Sequence, residues 1–209
     1  MRSGERPLRG MHLGAEYNAN RGGGEDMNVL MRRFLATPSP RHFDNAHYFA
    51  RVRTQVECAR RIWPGLGRDP MLGEFLFDDV SLHRRTGTQS PTVRYVVDVY
   101  ATREVLRDRI LAHRTDIVIV AGGDPFEAFR WVVVPLLEAS GWEGHVVRMR
   151  NPSRRGHMGS VSRWDGLYSR FPTRRSSLPS APAGGVEFWS LEGDASARSL
   201  RLVAVKEEV

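Results

Sequence analysis

The sequence predicts an α/β protein, a three-layer α/β/α sandwich around a short, mainly parallel four-stranded sheet. Three observations predict it. The run Thr115-Asp116-Ile117-Val118-Ile119-Val120-Ala121 is apolar on both strand faces, as a strand covered on two sides requires. Gly122-Gly123 then turns the chain into Asp124-Pro125-Phe126-Glu127, a helix start with cap, first-turn proline and capping-box glutamate in register. Strand-like and helix-like stretches alternate from residue 27 to residue 149, the order that builds parallel sheets with helical crossovers.

The elements follow in order. Residues 1–26 are rich in Gly and Arg and read as a flexible amino-terminal arm, with Met27 as an alternative start. A first strand is expected from Val29-Leu30-Met31 to Phe34-Leu35-Ala36, ended by the two prolines of Thr37-Pro38-Ser39-Pro40. A polar and aromatic loop, residues 41–49, leads into a helix over 46–63, where Val52, Val56, Ala59 and Ile62 recur at helical spacing. Trp63-Pro64-Gly65 stops it. Phe75-Leu76-Phe77 begins a second strand that ends in Asp78-Asp79-Val80-Ser81, and the basic loop His83-Arg84-Arg85-Thr86-Gly87 follows.

Ser90-Pro91 marks a helix start. Residues 93–100 fit a helix by the spacing of Val96, Val97 and Tyr100 and a strand by their β-branched content; from Thr102 the pattern is helical. After the strand at 115–121 comes a helix bearing Phe129, Trp131, Val132, Val133, Leu136 and Leu137, bent at Pro135 and ended by Gly141. The fourth strand is His145-Val146-Val147-Arg148-Met149. One domain thus spans 27–169. Residues 170–185 form a Ser/Pro/Arg-rich linker, in which 171–178 reads as translated adapter sequence. Residues 186–209 form a hairpin or tail.

Composition bounds the function. A chain of 209 residues with 41% hydrophobic and 26% charged residues suits one globular domain with appendages. Lys+Arg 31 against Asp+Glu 24 gives a formal charge of +7, and Lys206 is the only lysine. Arginine suits phosphate recognition because its guanidinium fork grips two oxygens at once; codon bias in a GC-rich genome yields the same excess. The single cysteine, Cys58, excludes an internal disulfide and any multi-cysteine cluster. The seven histidines, His42 and His47 among them, lack metal-ligand spacing, so neither metal nor cofactor is expected. No apolar run reaches the ~20 residues that span a bilayer, and no secretory signal is visible. The default expectation is a cytoplasmic monomer without a membrane partner.

The chemistry concentrates after the fourth strand, in Asn151-Pro152-Ser153-Arg154-Arg155-Gly156. Ligand sites of open α/β sheets lie at such carboxyl-terminal strand ends, although Asn-Pro-Ser is also a common turn-former. By this motif and the element order, residues 28–160 resemble the uracil-DNA glycosylase superfamily, nearest the mismatch-specific uracil/thymine branch, whose second motif begins Asn-Pro-Ser. The family's first motif would fall at 36–40, with Asn45, Tyr48 and Phe49 at the following helix entrance.

The resemblance implies a DNA glycosylase that flips a damaged or mismatched, uracil-like base from the duplex and hydrolyses its N-glycosidic bond. Asn151 would read the base edge or stabilise the leaving group. Thr37, Ser39, Asp44 and Asn45 would position water, and Phe43, Tyr48 or Phe49 would stack on the base. Arg84, Arg85, Ser153, Arg154 and Arg155 would hold DNA. Thr37 and Ser39 stand where the family carries Asn, Asp or Glu, and neither is a good general base. Arg154-Arg155-Gly156 replaces the family's small, apolar wedge.

Two alternatives stay open at this point. One is a non-catalytic nucleic-acid-binding relative of the same fold. The other is a Rossmann-like enzyme binding a nucleotide or sugar phosphate at the Gly122-Gly123-Asp124 turn. Asp78-Asp79, at a strand end, is a candidate for metal binding or water activation, and equally for a turn cap or a partner of nearby arginines.

Overall fold

A computed structural model describes residues 6–16, 27–37, 46–67, 69, 73–81, 91–149, 185–192 and 201–205. Their elements are β1 (Gly10–Glu16), α1 (Met27–Ala36), α2 (Ala46–Ile62), β2 (Phe75–Ser81) and α3 (Pro91–His113). There follow β3 (Ile117–Ala121), α4 (Gly123–Val132), α5 (Val134–Ala139), β4 (His145–Met149), β5 (Glu187–Glu192) and β6 (Arg201–Ala204). The strands make one six-stranded sheet in the order β2-β1-β3-β4-β5-β6, parallel except for β6. It is two strands wider than the sequence predicts.

The largest correction concerns the amino terminus. Residues 10–16, expected within a flexible arm, form a central strand paired with β2 on one side and β3 on the other. Its glycines are there for space. A Cβ at Gly10 would lie 2.1 Å from the Phe75 ring, so glycine lets that ring cross the strand. Met11 and Leu13 alternate with Gly10, His12 and Gly14 and are buried in the core on the opposite face.

The segment expected as the first strand is helix α1. Met31 and Phe34 are buried three residues apart, while Arg32 and Arg33 between them are exposed. In a strand one of those adjacent arginines would enter a packed face; a helix points both outward. The amide of Asn28 then serves the edge of the sheet, donating from Nδ2 to the Phe77 carbonyl at 2.8 Å and accepting from the Phe77 N–H at 2.8 Å.

The ambiguous stretch at 93–100 lies within α3, one helix from Pro91 to His113. The helix after β3 is broken rather than bent. α4 ends at Val132, Val133 adopts φ −97°, and α5 begins with Pro135 in its first turn. The cap of α4 is Gly122, at φ 116°, one residue before its first helical position, so Asp124 stands inside the helix and not at the expected cap position. At the carboxyl end, β5 pairs in parallel with β4, so residues 187–192 belong to the sheet, and Trp189, only 5% exposed, belongs to the core.

Two cores result. Phe75, Phe77, Ile117, Ile119, Val147 and Met149 face α1 and α2, which contribute Met31, Phe34, Phe49, Val52, Val56 and Ala59. Met11, Leu13, Val118, Val120 and Val146 face α3, α4 and α5. Burying strand side chains on both faces gives five consecutive buried residues in β3.

Candidate functional site at the carboxyl end of strand β1

In an open parallel sheet ordered 2-1-3-4-5, neighbouring crossovers diverge between β1 and β3, and ligands bind outside the strand ends there. The residues at this point can be built up from β1. Gly10, His12 and Gly14 share the face that α2 covers.

His12 is 2% exposed and meets Gln55 of α2, itself fully buried, through a 2.7 Å Nε2–Oε1 hydrogen bond. Because the amide oxygen can only accept, the imidazole carries its proton on Nε2. Burial, partly opposed by the bond to Gln55, lowers the His12 pKa to about 4, so the ring stays neutral at physiological pH.

Two residues on, Gly14 pairs with Asp79 of β2. A Cβ on Gly14 would lie 2.2 Å from Asp79 Oδ1 and 2.9 Å from the Tyr48 hydroxyl. The absent side chain therefore makes the space in which a carboxylate and a phenol meet over the strand. Asp79 is 4% exposed. Burial, and secondarily the Asp79 charge, raises the Tyr48 pKa and keeps the phenol protonated as a donor.

The neighbouring acid has a different task. Strand alternation sends Asp78 to the other face, where it forms an ion pair with Arg109 of α3. Its Oδ1 also accepts the Asp79 backbone N–H at 3.0 Å. The two aspartates are thus divided between the faces and do not act as one pair.

At the end of β3, the Gly122 N–H donates to the Met149 carbonyl at 2.8 Å, tying the turn before α4 to the last residue of β4. Among the described residues nothing lies within 4 Å of a Cβ placed on Gly123, so none of them closes the turn on that side. The arrangement offers, on the α2 face, a buried carboxylate, a neutral phenol and a neutral imidazole, with an open glycine turn one strand away. Among the described residues no group of three or more His, Cys, Asp or Glu could hold a metal ion. No helix among them is long and apolar enough to cross a membrane.

Of the three predicted site residues that are described, Thr37, Tyr48 and Phe49, Tyr48 is the one brought to this cluster. Thr37 instead follows helix α1 and donates from Oγ1 to the Arg33 carbonyl at 2.7 Å, so it finishes a helix and not a strand. Phe49, expected to stack on a base, is 3% exposed and packs on Phe34 with ring centroids 5.6 Å apart; it is a core residue. Ser39, Phe43, Asp44, Asn45, Arg84, Arg85, Asn151, Ser153, Arg154 and Arg155 lie outside the described residues.

Sequence reasoning missed His12, Gly14 and Gln55. The available signal was the alternation of Met11 and Leu13 with small or polar residues in 10–14. No protein family, curated protein or solved structure matches this chain.

Proposed function

We propose that the protein is a DNA glycosylase-like hydrolase that removes a damaged or mismatched, uracil-like base, with Asp79 supplying the carboxylate that the 37–40 loop lacks. The observation that carries this reading is the meeting of Asp79 and Tyr48 over Gly14 at the sheet's carboxyl edge. Further support comes from the Gly122–Met149 hydrogen bond, which ties the glycine turn to the last residue of β4, two residues before Asn151 in the sequence.

In this reading the C1′–N bond of the target nucleotide breaks as water forms the new C1′–O bond. Asp79 takes the proton of the attacking water. The base leaves with the bonding electron pair, held by hydrogen bonds from Asn151, and takes up a proton. Tyr48 donates a hydrogen bond at the same edge. The enzyme would work in the cytoplasm as a monomer, with no cofactor.

The test is base release from labelled duplexes carrying G·U, G·T, hypoxanthine or no lesion, read as alkali-sensitive strand cleavage. Lesion-dependent cleavage that is lost in Asp79→Asn and Asn151→Ala is the expected result. Cleavage unaffected by either change would discard the site. Absence of cleavage in a folded sample would discard the activity.

A second reading has one specific observation in its favour. The open Gly122-Gly123 turn precedes α4 at the β1/β3 divergence, where doubly wound folds bind nucleotides. Saturable binding of a nucleoside phosphate, without any base release from DNA, would select it.

A further inference from the structure

The two helical layers differ sharply in charge. α1 and α2 carry Arg32, Arg33, Arg51, Arg53, Arg60 and Arg61 against a single acid, Glu57. On the opposite face, α3 sets four arginines against three acidic residues, and α4 with α5 set Arg130 against Asp124, Glu127 and Glu138. Most of the chain's formal +7 is thus matched by one layer. Codon bias would enrich arginine in both layers and gives no reason for the helices of one to carry a single acid.

Local geometry turns this asymmetry into a surface. On α1, Met31 and Phe34 are buried, leaving Arg32 and Arg33 exposed. On α2, Val52, Gln55, Val56 and Ala59 are buried, leaving Arg53 exposed and Arg51, Arg60 and Arg61 half-buried. Arg60 pairs with Glu57 at 3.1 Å. Arg53 lies over the Phe34 ring, 5.6 Å from its centroid, which fixes its stem on the helix surface. The same two helices cover the face of the sheet that holds His12, Gly14 and Asp79.

From this charge distribution we infer that the outer face of α1 and α2 is a sequence-independent docking surface for the phosphate backbone of duplex DNA. The choice of DNA over other polyanions rests on the glycosylase-like reading above; the basic face does not. Arginines supply forked donors for phosphate oxygens, and their binding releases counterions. On this geometry the backbone is held by the layer that carries Tyr48, and α3 to α5 stay clear of the nucleic acid.

The experiment is fluorescence anisotropy of the full chain with a labelled, undamaged DNA duplex over a series of salt concentrations. Arg32→Glu/Arg33→Glu/Arg53→Glu is compared with the milder Arg32→Gln/Arg33→Gln/Arg53→Gln and with Arg107→Glu on α3, each checked for folding by circular dichroism. The expected result is a loss of at least roughly tenfold in affinity for the reversal, a smaller loss for the glutamine set, and a salt slope lowered by about three. Arg107→Glu should bind as the parent does. Equal loss in Arg107→Glu would reduce the effect to net charge and overturn the surface. So would parental binding by both triple variants, or binding of mixed phosphatidylcholine–phosphatidylserine vesicles with none of DNA. Backbone binding that follows this pattern without base release would keep the surface and remove the glycosylase activity.

Discussion

His12 and Gln55 are joined by a 2.7 Å hydrogen bond between two side chains that are each almost wholly removed from water. The bond links the central strand to the helix that covers it, and it satisfies a buried polar pair in a layer built mostly of apolar side chains. Protonating His12 would place a charge in that layer. Its folded pKa of about 4 lies below the ordinary 6.5, so between these values the unfolded chain binds a proton that the folded chain does not. Stability is therefore full above about pH 6.5, declines as pH falls, and loses its His12 contribution completely below about pH 4. The loss is on the order of 3 kcal/mol. Urea unfolding at pH 7, 5.5 and 4 measures it. His12→Leu should flatten most of the decline, leaving the part due to His113, whose pKa burial also lowers.

Removing the partner has a separate effect. Gln55→Leu leaves the imidazole N–H buried without its acceptor, at a cost of about 1–3 kcal/mol. A midpoint of urea unfolding at pH 7 equal to that of the parent would show that the bond contributes nothing.

The two glycines of β1 should respond differently to alanine. At Gly10 the new methyl group meets the Phe75 ring at 2.1 and 2.5 Å, inside a packed core, and destabilisation of about 1–3 kcal/mol is expected. At Gly14 it meets the Asp79 carboxylate and the Tyr48 hydroxyl. Gly14→Ala should therefore displace those two groups as well as lower the melting temperature. Calorimetry of both variants, with base release assayed on Gly14→Ala, separates packing from site geometry.

Asp116 holds the entrance to the sheet. Its carboxylate accepts from Arg6 Nη1 and Nη2 at 3.0 and 2.8 Å and from the Arg9 N–H at 2.8 Å. The Arg9 carbonyl in turn accepts from the Asp116 N–H at 2.8 Å. The arginine is half exposed, so its ion pair is worth little by itself; the bond to the Arg9 N–H, at the start of β1, matters more. Asp116→Ala should cost about 1–3 kcal/mol and Arg6→Ala less than about 1 kcal/mol. Equal losses in chemical denaturation would assign the effect to the ion pair instead.

Legibility in the sequence followed how strongly one period dominated each segment. β3 and β4 were readable because consecutive apolar residues bounded by a glycine turn leave little choice. α2 was readable from Val52, Val56 and Ala59. α1 was misread because six of its ten residues are Val, Leu, Met, Phe or Ala beyond Met27, which suits either element until Arg32-Arg33 is weighed. β1 was missed because Gly10 and Gly14 suggest freedom, whereas each makes room for a side chain from β2. The site suffered from the same error. With β1 unseen, Asp79 had no facing glycine, and Thr37, expected at the end of a strand, instead follows helix α1. Tyr48 was found for its position at a helix entrance; its meeting with Asp79 depends on a strand pairing that no local pattern encodes.

The final prediction separates chemistry from fold at that meeting. Asp79→Asn keeps the side-chain shape but removes the negative charge beside Tyr48. The Tyr48 pKa should then move down, although it stays above the ordinary 10 because burial is its larger cause. Ultraviolet titration of tyrosinate, with Tyr48→Phe as the reference for its signal, reads this shift whether or not the protein is an enzyme. If Asp79 is the base that activates water, the same variant should release base at least roughly 100-fold more slowly while binding duplex DNA as the parent does. Tyr48→Phe retains the carboxylate and should lose less. A shifted titration with unchanged base release would confirm that the two groups are neighbours and would remove Asp79 from the chemistry.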